Sequence, residues 1–403
     1  MGRDAKVNLL IGMGHFLSHF YVLCLPPLYV AWKAEFDVSY AMLGVAPMLM
    51  SGTTALLQTP VGFLVDRHGA RRFLVGGTLL MTLAIAAMGF ATDYWQIMVL
   101  ATISGIGNSV IHPADYAILS GSVNKDRMGQ AFALHTFNGN LGFAAAPPVM
   151  AALVLAIGWR GGLLLAGTLG IPLVAIILWQ SRILTDQTRA RPTATAGAAA
   201  GGALAGASLL LTRPMMMFFA FFMLSSMAGA GVQNWLITAL NQAYAVPLAA
   251  ASAALTGYMV GATGGTLVGG YVADRIKRHL TFASVLTIAS AACILVVALL
   301  HLPDTIVIAL LFLSGLALGA SRTPRDIMVK DASPPGQIGK VFGFVSAGLP
   351  LGGALTPIPL GYMIDRGHPE LVLIVVAALL LLSLLCAGTA RATGRQTQAV
   401  AAE

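Results

Sequence analysis

Apolar residues occupy this chain in long blocks, and most charged residues gather in the short gaps between them. A bilayer's hydrocarbon takes about 20 residues of helix to cross. Twelve blocks reach that length: 7–31, 40–65, 72–91, 95–121, 128–156, 160–181, 214–242, 249–273, 279–301, 304–329, 338–364 and 370–390. The expected fold class is all-α integral membrane, with twelve transmembrane helices. Composition agrees: 57% of the 403 residues are hydrophobic and 9% charged, against about 25% charged in soluble domains. Such a chain must dissolve its apolar surface in lipid. The first block starts almost at once and lacks a small-residue cleavage site at the right distance, so no cleavable signal peptide is expected.

Charge then orients the helices. With both termini inside, the inner surface collects 18 of the 23 Lys and Arg, and Lys33, Arg160 and Arg366 are the only ones on the outer face. This positive-inside asymmetry predicts an inner-membrane topology with both termini cytoplasmic. The formal +8 charge is thus a topology signal spread over short loops, and a nucleic-acid partner is not expected. Trp32, Trp95 and Trp159 fall at expected outer ends and Trp179 at an inner one, as interfacial anchors do. Cys24, Cys293 and Cys386 lie in separate spans without ligand spacing, so neither disulfide nor zinc site is expected of them.

The chain repeats itself. Gly62 to Arg72 reads G-F-L-V-D-R-H-G-A-R-R, and 208 positions later Gly270 to Arg278 reads G-Y-V-A-D-R-I-K-R. Ser104-Gly105 matches Ser314-Gly315, His112-Pro113 matches Thr323-Pro324, Leu141-Gly142 matches Leu351-Gly352, and Pro147 matches Pro357. Two pseudo-symmetric six-helix bundles follow, 1–182 and 214–403. They are joined by a linker over 183–213 whose Ala, Gly and Thr content suits a mobile cytoplasmic connection. These motifs resemble the major facilitator superfamily, whose G-x-x-x-D-R-x-G-x-R-R signature the first loop fits in full. The second loop carries Lys277 where the second glycine would be. The His112-Pro113-Ala114-Asp115-Tyr116 and Leu134-His135-Thr136-Phe137 stretches are similar to fosmidomycin-resistance-type exporters.

The resemblance implies a latch at the cytoplasmic side, in which the carboxylate of Asp66 meets an Arg and a helix start from the other half. Gly62, Arg67, Gly69, Arg71, Arg72, Asp274 and Arg275 complete the expected latch set, with Gly62 allowing a close helix approach. The alternative is that these cations signal topology alone. Inside the spans, ionisable residues are costly and tend to face a cavity. His15 and His19 share a helix face by i, i+4 spacing, and Asn108, His112 and Asp115 share another. His135 and Asn138 lie on helix five, Gln233 and Asn234 on helix seven, and Arg322, Arg325 and Asp326 on helix ten. The resemblance places helices one, four, seven and ten around the central cavity. These residues form the candidate substrate- and proton-binding set. The Asp115 and Arg322 cluster reads equally as a binding site or as a gate between the halves.

Histidine and aspartate can exchange protons near neutral pH, so a proton gradient is the expected energy source, with no cofactor and no metal. Two guanidiniums in the cavity favour a small organic anion, unless Asp115 and Asp326 neutralise them. The drug-antiporter pattern is incomplete, because Ala101 and Ser104 stand where its Arg and Gln would be, and Ala146 where its second helix-five glycine would be. The expectation is a monomeric, proton-coupled secondary transporter with export favoured. An importer of an organic acid is the nearest rival. A receptor or lipid-handling protein is a rival of another class. No cofactor fingerprint or nucleophile–base motif suggests an enzyme.

Overall fold

The structure is a computed structural model that describes residues 2–124, 127–185, 211–273, 275–332, 341 and 344–400; within them the side chains of 63, 66, 128–130, 133, 181, 330 and 390–400 are left aside. Ten described segments are long and apolar enough to cross a membrane. One of them, Leu134–Trp179, contains two helices that turn at Gly158, whose φ is 73°. A further 26-residue helix, Leu248–Ala273, is diluted by six glycines. Together they give the twelve expected helices.

In chain order α1 is Arg3–Phe36, interrupted after Leu23 by the Pro26–Leu28 turn, and α2 runs as Tyr40–Leu43 and Val45–His68. α3 is Ala70–Met88 and α4 is Tyr94–Ser109 followed by Ile111–Ser122. α5 and α6 lie on either side of Gly158 within 128–179. In the second half α7 is Arg213–Tyr244, α8 Leu248–Ala273, α9 His279–Leu299 and α10 Asp304–Ala332. α11 is Gly348–Leu355 with Pro357–Asp365, and α12 is Glu370–Val400.

The internal repeat survives in the packing. α1 packs on α5 and α2 on α4, while α7 packs on α11 and α8 on α10. At the matched Ser-Gly pairs the contact is the same: a Cβ on Gly105 would strike the Met50 backbone, and one on Gly315 the Tyr258 backbone. Met50 and Tyr258 are themselves 208 apart, so the repeat extends to both partners. Small residues let transmembrane backbones meet in this way, and dispersion replaces the missing hydrophobic drive.

The halves meet at the end remote from the Arg67–Arg72 loop. There the Asp365 carboxylate accepts from the Tyr40 and Ala41 backbone N–H groups at 2.7 and 2.8 Å, and Lys33 lies 3.9 Å away. Trp235 donates to Pro357 O at 2.8 Å and packs its ring against Tyr29. Along α2 the fit against α11 is tightest near Gly44. A Cβ at Gly44 would lie 2.7 Å from the Pro357 backbone, one at Gly52 would touch Ala354 at 3.9 Å, and one at Gly62 would meet nothing within 4 Å. The expected close approach at Gly62 has no counterpart among the described residues, and residues 333–340, 342 and 343, just ahead of α11, lie outside them.

One expectation changes. Trp32 and Trp159 are 0% and 7% exposed and pack with Phe36 and Tyr94 rather than anchoring in the interface, while Trp95 and Trp179 are exposed as expected. Residues 184 and 185, at the start of the expected linker, pack on the first bundle. Leu184 is buried, Thr185 N takes the Ser122 hydroxyl as acceptor at 2.8 Å, and Arg3 reaches Thr185 Oγ1 at 3.3 Å. Most of the expected linker, 186–210, lies outside the described residues.

Candidate functional site

Pro113 has no N–H to give the Ser109 carbonyl, and α4 is accordingly divided at Val110. His112 and Asp115 stand at the start of its second segment, facing His15 and His19 of α1 and His135 of α5. The five side chains form one cluster inside the first bundle. His135 Nε2 donates to Asp115 Oδ2 at 3.0 Å, with the two side chains 2% and 0% exposed. The His15 ring stacks on that of His135, with centroids 3.7 Å apart and planes 8° from parallel.

Tautomers follow from the acceptors. The His135 carbonyl, 2.7 Å from His15 Nδ1, can only accept, so His15 carries its proton on Nδ1 and leaves Nε2 bare. That bare nitrogen faces His112 Nε2 at 3.3 Å, so in the neutral cluster His112 donates. His112 Nδ1, His135 Nδ1 and Asp115 Oδ1 then remain buried without a hydrogen-bond partner among the described residues. These atoms can receive a proton without breaking an existing bond. His19 sits beside them, 4.3 Å from the His15 centroid and 4.1 Å from that of Phe143. His15, His19 and His112 each offer a ring nitrogen within 4.8 Å of the other two, and these residues could hold a metal ion.

Other candidates lie elsewhere. Asn108 turns from the histidines and donates to Thr54 Oγ1 at 3.3 Å, tying α4 to α2. Asn138 donates to Leu134 O at 2.9 Å and packs against Gly12 on α1. On α7, Gln233 is half-buried and Asn234 donates to its own helix at Ala230 O, 2.9 Å away. In α10, Asp326 pairs with its neighbour Arg325 at 3.0 Å, and Arg325 lies 4.1 Å from the Phe222 ring centroid. Arg322 is half-buried, with Tyr258, Arg325 and Asp326 as its electrostatic neighbours, and has no ion pair among the described residues. Asp115 is paired to His135 instead, so neutralisation of both guanidiniums is not what the fold provides. Tyr116, whose ring lies 5.2 Å from His135, joins the cluster edge and had been singled out only as part of a motif.

At the loop, Gly69 has φ 93° and ψ 134°, a conformation that side chains other than hydrogen rarely adopt. This is the reason for the second glycine of the signature. Arg67, Arg71 and Arg72 are exposed. In the second copy, Arg275 folds back onto Tyr271, 3.6 Å from its ring centroid, and donates to the Tyr271 carbonyl at 2.7 Å. The Asp66 side chain and Asp274 lie outside the described residues.

The family model described as the Major Facilitator Superfamily matches residues 11–242 and again 223–401, about once per bundle. The chain belongs to that superfamily. It is a multi-pass membrane protein of transporter type and not an enzyme. Among curated relatives of this major facilitator protein, it is 24% identical to the fosmidomycin resistance protein of Escherichia coli, spanning 93% of this chain and 90% of that one. It is 25% identical to the membrane sensor protein UhpC of the same organism, over 88% and 86% of the two chains. In fold it is similar to a bacterial homologue of the human lysosomal transporter Spinster in an inward-facing, occupied conformation. That likeness has a TM-score of 0.78 at 13% identity and covers 99% of this chain and 97% of the other.

Proposed function

We propose that this chain is a proton-coupled secondary transporter of the bacterial inner membrane, exporting a small organic anion by alternating access as a monomer with cytoplasmic termini. The observation that carries the reading is the buried Asp115–His135 pair, ringed by further imidazoles with open nitrogens. A proton taken up there changes the charge inside the bilayer, where charge is costly, so uptake and release favour different conformations. Arg322 supplies a fork for a carboxylate or phosphonate. The latch set of Asp66, Arg67, Gly69, Arg71, Arg72, Asp274 and Arg275 closes the motif end when the remote end opens, the role proposed for the loops. Export is supported by the relative named for resistance.

The test is flux in proteoliposomes under an imposed pH gradient, using organic anions chosen from a resistance panel of cells with and without the gene. Gradient-driven export that fails in Asp115→Asn supports the reading; undiminished export in that variant removes Asp115 from it. The relative named as a sensor favours a second reading, in which the same cavity reports ligand without moving it. Saturable binding with no counterflow would select that reading.

A further inference from the structure

We infer that His15, His19 and His112 form a binding site for a divalent transition-metal ion of the zinc class. The inference goes beyond the transport reading and needs neither its direction nor its coupling. Two nitrogens bound about 2.0–2.1 Å from a tetrahedral zinc stand about 3.3 Å apart. His15 Nε2 and His112 Nε2 are 3.3 Å apart, and the third histidine brings all three nitrogens within 4.8 Å. His15 and His19 are one helical turn apart, the spacing by which one helix can offer two imidazoles to a single ion.

A second observation points the same way. Metal-binding imidazoles commonly give their other N–H to a carbonyl or carboxylate, which fixes the tautomer and aims the bare nitrogen. His15 does this, donating Nδ1–H to the His135 carbonyl at 2.7 Å and pointing Nε2 at His112. His19 Nδ1 and His112 Nδ1 have no hydrogen-bond partner among the described residues, so on metal binding the His112 proton moves from Nε2 to its open Nδ1 and Nε2 becomes a ligand. Asp115, 0% exposed and joined to His135 rather than to the three nitrogens, places a negative charge one side chain away to offset the ion. An all-imidazole donor set suits zinc, cobalt, nickel or copper and not magnesium or calcium, which prefer oxygen. Because His19 and His112 are only partly buried, the fourth position is left for water or an anion.

The full chain, purified in detergent with any affinity tag removed and stripped with a chelator, is titrated with Co2+. The expected result is one equivalent per chain with the visible absorption of tetrahedral cobalt, displaced by Zn2+ and untouched by Mg2+. His19→Asn and His112→Gln should each weaken binding at least tenfold, while His301→Gln, on the exposed α9–α10 loop, leaves it unchanged. Absence of saturable binding to the unaltered chain overturns the inference, whatever the variants do. So does tetrahedral cobalt binding that survives both substitutions; the cluster is then a hydrogen-bonded imidazole chain only.

Discussion

Replacing Asp365 with Asn should unfasten the closed end of the protein. The carboxylate accepts two main-chain N–H groups from the other half, at 2.7 and 2.8 Å, and its side chain is only 17% exposed. Hydrogen bonds to a charged group are worth about 1.5–3 kcal/mol each, against about 1 kcal/mol for a neutral pair. The amide keeps one neutral acceptor and turns an NH2 toward the second N–H, so the loss comes to about 2 kcal/mol after allowance for partial exposure. At 1.4 kcal/mol per decade this shifts the closed–open ratio of that end by about 30-fold. The assay is pulsed electron resonance between spin labels at Thr92 and His301, exposed sites on opposite halves at that end, in a chain whose Cys24, Cys293 and Cys386 are replaced. A long-distance population should grow in Asp365→Asn. Lys33→Met should change it by less than about fivefold, because an ion pair with one 41%-exposed partner is worth about 1 kcal/mol or less. Superimposable distance distributions for Asp365→Asn and the parent would refute the reasoning.

Asp115→Asn should cut gradient-driven flux at least tenfold while keeping the thermal unfolding midpoint within a few degrees, since the amide still bonds to His135; a large drop in midpoint would assign Asp115 a structural role instead. Arg322→Gln should weaken binding of an anionic substrate by about 10- to 100-fold, consistent with the loss of one charge-assisted fork, and Arg322→Lys should rescue only part of it in equilibrium binding. Gly69→Ala places a Cβ at φ 93°, costing about 1–3 kcal/mol, and should lower the unfolding midpoint measured by differential scanning fluorimetry. Gly315→Leu drives a side chain into the Tyr258 backbone and should abolish a monodisperse elution peak.

The helices were legible because each span must carry its own apolar run, whatever its neighbours do. The repeat was legible because loop signatures and helix-crossing glycines recur at nearly constant offset. The candidate site was legible only in part. His15 and His19 declare themselves by spacing within one helix, but their meeting with His112 and His135 depends on how α1, α4 and α5 pack. Asn108 and Asn138 share their helices with the histidines yet bond to Thr54 and pack on Gly12, since spacing along one helix does not say which neighbour each side chain meets. Trp32 and Trp159 looked interfacial by position, although neighbouring aromatics bury them. Along the sequence Asp365 reads as a charge at a span's end. The signal was the Asp365-Arg366 pair closing an apolar run, as Asp66-Arg67 and Asp274-Arg275 do.

The clasp at the remote end is written partly in main-chain atoms, because the Asp365 carboxylate takes the N–H groups of Tyr40 and Ala41. Any amino acid but proline supplies those amides. Lineages of this transporter can thus vary the side chain at 41 while the two amide bonds persist, whereas Tyr40 is buried and its ring packs against Trp235 of the other half. Purifying selection should fall instead on the acid at 365, the aromatic rings at 40 and 235, and the glycines at 44 and 361, where a Cβ would strike the Pro357 and Tyr40 backbones.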